Sequence, residues 1–320
     1  MTAPTVPPQP ANEAFTGPSL SPSRAADFKT CPLLFRFRTI DKLPELPSAD
    51  QARGTLVHAV LESLFDLPAA ERTPEAAAAL VAPSWARLLE QEPALADIFT
   101  AAAPPLTDPA ALAAEADATG LLDIPVPDAP ARLAAFLESA GNLLDGYFAL
   151  EDPRRLEPAE RETLVSTLVD DELLIRGYVD RLDISPAGDL RVVDYKTGGA
   201  PREAFEGRAL FQLKFYALVL WRTRGVVPRV LRLVYLRDAE ILDYSPEAEE
   251  LERFERTLVA LSQAIERAKQ DKDFRPKPSR LCGWCSHQAV CPEFGGTPPP
   301  FPEPAPPATP DTDGSDDRLG

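Results

Sequence analysis

Three successive stretches, TLVSTLV, ELLIRGYVDRLDI and DLRVVDYKT, are rich in β-branched residues and are separated only by Asp170-Asp171 and by Pro186-Ala187-Gly188. Segments of this kind, joined by short turn-forming clusters, predict an antiparallel meander, and the rest of the chain has to cover it. Upstream, SPSRAADFKTCPLLFRF offers a Ser N-cap at Ser21 and a short helix that breaks at Cys31-Pro32. RGTLVHAVLESLFDL then places Val57, Leu61, Leu64 and Phe65 at helical spacing, with His58 and Glu62 one turn apart on a neighbouring stripe. Residues 69 to 160 are rich in Ala, Leu, Glu and Pro, with helical stretches around Glu75 to Glu92 and Ala131 to Leu150, and read as a helical insertion or cap. After the meander come a helix from about Ala204 to Arg224, a strand in RVLRLVYLRD and a long helix from Glu247 to Lys272. The order helix, three strands, helix, strand, helix predicts an α/β fold with its sheet covered by helices.

The chain of 320 residues, 44% of them hydrophobic, is long enough to bury a large core. Its first ten residues hold neither a basic end nor an apolar run, and no stretch approaches the length of a bilayer-spanning helix, so a soluble cytoplasmic protein is expected. Five prolines in residues 1–18 and eight in 297–320, the latter with five acidic residues, read as disordered tails. A net charge of -17 taken as a total argues against a nucleic-acid partner, but its distribution changes that inference. Between Val60 and Glu172 there are 22 acidic and 6 basic residues, whereas between Arg191 and Arg232 there are 9 basic and 3 acidic. An acidic protein can therefore still present one positive face.

The strand ends carry the candidate chemistry. Asp194 and Lys196 are two apart near the end of one strand and project together, and Asp180 near the end of the adjacent strand can meet them. Carboxylates converging in a partly buried place repel each other unless they share a proton or a cation. Mg²⁺ or Mn²⁺ suits oxygen ligands and retains waters able to act as nucleophiles. A lysine beside it is able to orient or help deprotonate the attacking water and to offset charge on the phosphate. The competing reading of DYK or DRLD taken alone is a solvated strand edge or a surface ion pair.

The strings RGTLVHAVLE, GYVDRLDI, VVDYKTG and FQLKFYALVL together resemble the RecB-type branch of the PD-(D/E)XK nuclease superfamily, which includes CRISPR-associated four-cysteine exonucleases and the AddB nuclease domain. The resemblance runs from about Ser21 to Phe294 and is weakest in the helical insertion. It implies a restriction-endonuclease-like α/β core, a mixed sheet flanked by helices, with a helical insertion and an iron-sulfur clasp, over residues 19–296. It implies Asp180, Asp194 and Lys196 as the catalytic residues, and His58, Asp180, Asp194 and the Tyr195 carbonyl as ligands of Mg²⁺ or Mn²⁺. Gln212 and Tyr216 match a Gln-x-x-x-Tyr helix beside the active site that touches the DNA strand. An acidic residue just before the first strand often joins such sites, and Glu160 and Glu162 are both available. The local basic excess makes Arg181, Arg208 and Lys214 candidate phosphate contacts.

Cys282, Cys285 and Cys291 form a C-x2-C-x5-C cluster, and Cys31 lies far upstream. Four cysteines in a reducing compartment suit metal ligation better than disulfides. Spacing does not separate iron from zinc, since four thiolates suit both and His287 is placed to replace Cys31 in a Zn²⁺ site. The resemblance implies a [4Fe-4S] cluster on Cys31, Cys282, Cys285 and Cys291, tying the N-terminal segment to the end of the domain. The expected activity is hydrolysis of DNA phosphodiester bonds, by an exonuclease in DNA repair or processing, on single-stranded or end-containing DNA. No G-x-x-x-x-G-K-[ST] loop is present, so any helicase would act in trans. The rival expectations are a non-hydrolytic DNA-binding subunit of a helicase-nuclease complex and a zinc-knuckle interaction protein.

Overall fold

The computed structural model describes residues 15, 17–45, 47–100, 128–200 and 206–302. Most of both proline-rich ends, and residues 101–127 of the expected helical insertion, lie outside them. Among the described residues the chain forms two compact units, one built from 45–267 with the segment before residue 27, the other from 27–44 with the segment after 267.

The first unit is a six-stranded mixed sheet flanked by helices. Its strands are β1 (Ser19–Leu20), β2 (Glu160–Val169), β3 (Leu173–Ile184), β4 (Leu190–Lys196), β5 (Val230–Tyr235) and β6 (Glu240–Tyr244). The meander forms as the pattern predicts: β2 pairs antiparallel with β3, and β3 with β4. Asp170 and Asp171 take positive φ of 52° and 56° at the first turn, a conformation that aspartate tolerates. β4 pairs parallel with β5, which requires a crossover, and the helix between them supplies it. Two strands escaped sequence reading. β1 is two residues long, too short to carry a period, and β6 is a mostly exposed edge strand in a polar stretch before the last helix.

The main helices are α1 (Pro22–Thr30), α2 (Ala49–Leu64), α3 (Pro74–Gln91), α4 (Ala129–Leu150), α5 (Glu206–Arg224) and α6 (Ala248–Asp271). α2 opens with a full capping box, Ser48 accepting from the Gln51 backbone while the Gln51 side chain accepts from the Ser48 backbone. Leu56, Val57, Val60, Leu61 and Leu64 of α2 are buried with Trp85 of α3 and Phe136, Leu144 and Tyr147 of α4. This cluster rests on Val193 and Tyr195 of β4 and on Val234 and Leu236 at the end of β5. Gly146 is required there: a Cβ on it would stand 1.9 Å from the Leu236 carbonyl oxygen. The alternate residues Val192, Leu231 and Leu233 are equally buried, as is expected where a second layer covers the other face of the sheet. α5 packs against the strands with Leu213, Phe215, Ala217 and Leu220 buried, and α6 packs on α5 through Phe211 and Phe254, 5.0 Å apart. No described helix is long and apolar enough to cross a membrane.

The second unit holds all four cysteines. The helical turn Pro32–Phe35 brings Phe35 onto Phe274, stacked at 6.3 Å, and Phe37 meets His287 edge-on at 5.2 Å. The segment expected to be a free tail from Thr297 is packed at its start: Phe301 stacks on Phe274 at 6.0 Å and takes the Arg36 guanidinium over its ring. An aromatic residue between prolines supplied enough apolar area to hold the turn, which composition alone obscured.

Candidate metal and hydrolytic centre

The first unit's site sits where β3 and β4 part. Their ladder ends at Arg181 paired with Val193, so Asp180 and Asp194 stand on the rung that does not form. The backbone N–H of Tyr195 donates instead to Asp180 Oδ2 at 2.8 Å. On the other edge of β3, Arg161 pairs with Arg181 and Thr163 with Val179, which sets Glu162 opposite Asp180. Glu162 has a positive φ of 43°, a costly conformation for a non-glycine residue and one that clusters at functional sites.

From α2, His58 reaches this fork. Its Nε2 lies 3.0 Å from the Tyr195 carbonyl oxygen, and its Nδ1 lies 3.5 Å from both Glu162 Oε1 and Asp180 Oδ2. His58, Glu162 and Asp180 offer one ligand atom each within 4.8 Å of one another. When Nε2–H donates to the carbonyl, the Nδ1 lone pair faces two carboxylates, and only a proton or a cation between them relieves the clash. The electrostatics say the same. Burial would lower the His58 pKa, but Asp180, Glu162 and Asp194 override it and raise it to about 9. Burial and then the Asp194 carboxylate push Asp180 up to about 7, against the pull of His58.

Asp194 is 1% exposed and completes the electrostatic field without joining that trio. Its Oδ2 lies 2.6 Å from Lys196 Nζ, yet neither carboxylate oxygen accepts a well-directed hydrogen bond. Lys196 Nζ also donates to Gln212 Oε1 at 2.9 Å, and Gln212 Nε2 donates to the Tyr216 hydroxyl at 3.0 Å. Burial opposes the lysine's charge, but Asp194 and Asp180 hold its pKa above the ordinary value. A chain Asp194–Lys196–Gln212–Tyr216 thus runs from the fork onto α5.

The sequence placed His58, Asp180, Tyr195, Asp194, Lys196, Gln212 and Tyr216 in one site, and the fold brings them together. Two residues go elsewhere. Arg181 was expected at a phosphate, but it is 1% exposed and its guanidinium is bound to both Glu151 oxygens at 2.7 and 2.9 Å and to the Tyr195 hydroxyl at 2.6 Å. Strand alternation turns it away from its neighbour Asp180. Lys214 was expected at DNA, but its Nζ lies 2.6 Å from Glu250 and 4.9 Å from the centre of the Tyr244 ring. The Arg208 side chain lies outside the described residues. The choice between Glu160 and Glu162 is resolved by register: Glu160 pairs with Leu182 and is bound to Arg224, while Glu162 faces the fork. Both lie at even positions of one strand, so parity could not separate them.

In the second unit the backbone N–H groups of Lys277 and Ser279 donate to Cys31 Sγ at 3.4 Å and Cys282 Sγ at 3.3 Å. Burial raises the pKa of the Cys285 thiol, and the nearby Cys291 and Cys31 thiols add to it, against a backbone hydrogen bond from His287. The N-terminal and C-terminal cysteine segments therefore meet.

The sequence profile of the PD-(D/E)XK nuclease superfamily matches residues 19–292, and the chain belongs to that superfamily. No curated protein matches the chain. Among solved structures it is similar to a candidate exonuclease from Eubacterium rectale, with a TM-score of 0.46 and 10% identity over 88% of this chain and 94% of that one. It is also similar to the protein SSO0001, with a TM-score of 0.34 and 18% identity over 50% of this chain and 71% of that one.

Proposed function

We propose that this protein is a metal-dependent deoxyribonuclease of the RecB-type branch, cutting DNA from an end in repair or processing, with Lys196, Asp180 and Asp194 at its reaction centre. The observation that carries the reading is the convergence of His58 Nδ1, Glu162 and Asp180 on one point beside a lysine held by Asp194. The donor set fits a hard divalent ion: two carboxylates, an imidazole nitrogen and the nearby Tyr195 carbonyl, with the two Asp194 oxygens buried and short of directed partners. Such an ion, when bound, neutralises charge on the phosphodiester and lowers the pKa of water. The chain's own residues do the rest. Glu162 and Asp180 fix the position of His58, and Asp194 keeps Lys196 charged and aimed. Lys196 Nζ is placed to steady the attacking water or the developing phosphate charge. Gln212 accepts a second hydrogen bond from the ammonium that pairs with Asp194 and itself donates to the Tyr216 hydroxyl.

End-labelled single- and double-stranded DNA incubated with Mg²⁺ or Mn²⁺ tests this reading. Release of short labelled products from one end, dependent on metal and lost in Lys196→Ala, is the expected result. Metal-independent cleavage, or equal cleavage by the variant, overturns it.

The cysteine unit favours a [4Fe-4S] cluster on Cys31, Cys282, Cys285 and Cys291, in line with the resemblance to the four-cysteine branch. Backbone N–H groups directed at three of the sulfurs are the usual means of stabilising thiolate ligands. A brown protein whose broad visible absorbance disappears in Cys31→Ala is expected. A colourless protein carrying zinc in that variant indicates a site completed by His287 instead.

A further inference from the structure

A groove of about 660 Å³ runs beside the hydrolytic centre of the first unit, lined by Arg176, Gly177, Tyr178, Phe211, Gln212 and Tyr216 together with the β1–α1 turn. It exists because β3 has a gap along one edge. β1 pairs with β3 only as far as Ile175, and β4 pairs with β3 only from Arg181 onward, leaving 176–180 with no strand on that side. Gly177 is needed where α5 closes in on the gap: a Cβ there would stand 2.7 Å from Tyr216 Cε1 and 3.2 Å from Pro22 Cδ.

Two side chains in the groove are unusual for a stable surface. Tyr178 is 58% exposed, the greatest exposure of any large apolar or aromatic side chain in the described part of this unit. Arg176, four residues before Asp180, has no acidic partner among the described residues, although most described arginines do. Tyr178 and Arg176 precede Asp180 at two-residue strand steps of about 6.7 Å each. Gln212 links the groove to the centre, because it lines the groove and also accepts from Lys196 Nζ.

We propose that this groove binds an unpaired DNA strand, Tyr178 stacking on a base and Arg176 meeting a phosphate, and so delivers single-stranded ends to Lys196. An exposed aromatic ring beside an uncompensated guanidinium is the combination that holds single strands, because every base has a π-face and every nucleotide a charge. Inside a duplex both faces of a base are covered by its stacked neighbours, so the groove favours an unpaired strand. This inference rests on the nuclease reading for the identity of the strand.

The test is binding of the full chain to a labelled oligo-dT strand and to a blunt duplex, followed by fluorescence anisotropy with Ca²⁺ in place of Mg²⁺. Tyr178→Ala is expected to weaken single-strand binding about 5- to 150-fold, while Tyr178→Phe retains it and duplex binding is unchanged. Removing the stacked base with an abasic nucleotide costs the wild type a similar factor and costs Tyr178→Ala nothing further. Arg176→Ala is expected to flatten the slope of log Kd against log salt by about 0.7. Single-strand affinity unchanged in Tyr178→Ala, or lost equally for duplex, or not restored by phenylalanine, overturns the proposal, as does a wild type that binds no single strand. A wild type that binds the strand but cleaves nothing with Mg²⁺ or Mn²⁺ sinks the nuclease reading and leaves the groove standing.

Discussion

Asp180 and Arg181 are consecutive residues of one strand, and their surroundings are electrostatic opposites. Arg181 is enclosed by Glu151, Asp183 and the Tyr195 hydroxyl, and Arg191 and Arg232 pair with the same two carboxylates, so positive and negative charges alternate there even though Arg181 Nε, 3.2 Å from Asp183, makes no directed hydrogen bond. Asp180 shares its space with Glu162 and Asp194, and His58 and Lys196 only partly offset three carboxylates. Burial is similar on both sides, so burial alone does not mark function. What separates them is compensation: the carboxylates on the Arg181 side are each paired with a guanidinium, whereas the Asp180 side keeps an excess of negative charge that a proton or a bound cation would offset. The contrast also explains Tyr195, whose ring serves the first set while its backbone N–H and carbonyl serve the second.

The sharpest way to break this comparison is Lys196→Ala. It is expected to lower cleavage of end-labelled DNA about 10³- to 10⁴-fold with little change in thermal unfolding. A variant that loses stability as heavily as activity would put Lys196 among structural residues. Glu151→Gln tests the opposite side. Stranding the buried Arg181 charge is expected to cost about 3–5 kcal/mol in urea unfolding, with cleavage per folded molecule retained. Its pH dependence has a definite sign. Burial would raise the Glu151 pKa, but the bond to Arg181 holds it below the ordinary 4.5. The pair therefore stabilises the fold fully above about pH 4.5 and progressively less as pH falls through the lowered value. The gap between wild type and Glu151→Gln should close in that acid range, and a gap unchanged down to pH 3 would contradict the assignment.

Asp180→Asn sharpens the claim that the first set waits for a cation. At Mn²⁺ a hundredfold above its Kd the wild type should gain about 2.7 kcal/mol, seen as a rise in Tm, and the variant less than a third of that. Equal gains in both would place the ion elsewhere. The smallest effect is expected from Lys214→Ala, under about 1 kcal/mol in unfolding and no change in DNA affinity, because Glu250 already occupies that ammonium at a partly exposed position. A loss of DNA binding there would restore Lys214 as a phosphate contact.

Much of the centre was legible before folding because it is written locally. Asp194 and Lys196 are two apart on a strand, Gln212 and Tyr216 four apart on a helix, and such spacings fix which side chains project together. The meander was legible for the same reason. Arg181 was misread because its basic neighbourhood in sequence suggested a phosphate, while its partner Glu151 lies 30 residues away at the end of a helix and gives no local sign.

Local periodicity by itself therefore determined four of the six described strands, the principal helices and the shared face of Asp194 and Lys196, while His58, Gln212 and Tyr216 entered the site only through the resemblance to a known family. Only the tertiary structure decided that the β3–β4 ladder stops one rung short of the aspartates, that Glu162 rather than Glu160 stands opposite Asp180, and that a gap beside β1 opens a groove at Tyr178. Residue spacing sets the direction of a side chain, but register and strand separation depend on pairings between distant segments. The sequence carries those pairings only through the total balance of packing.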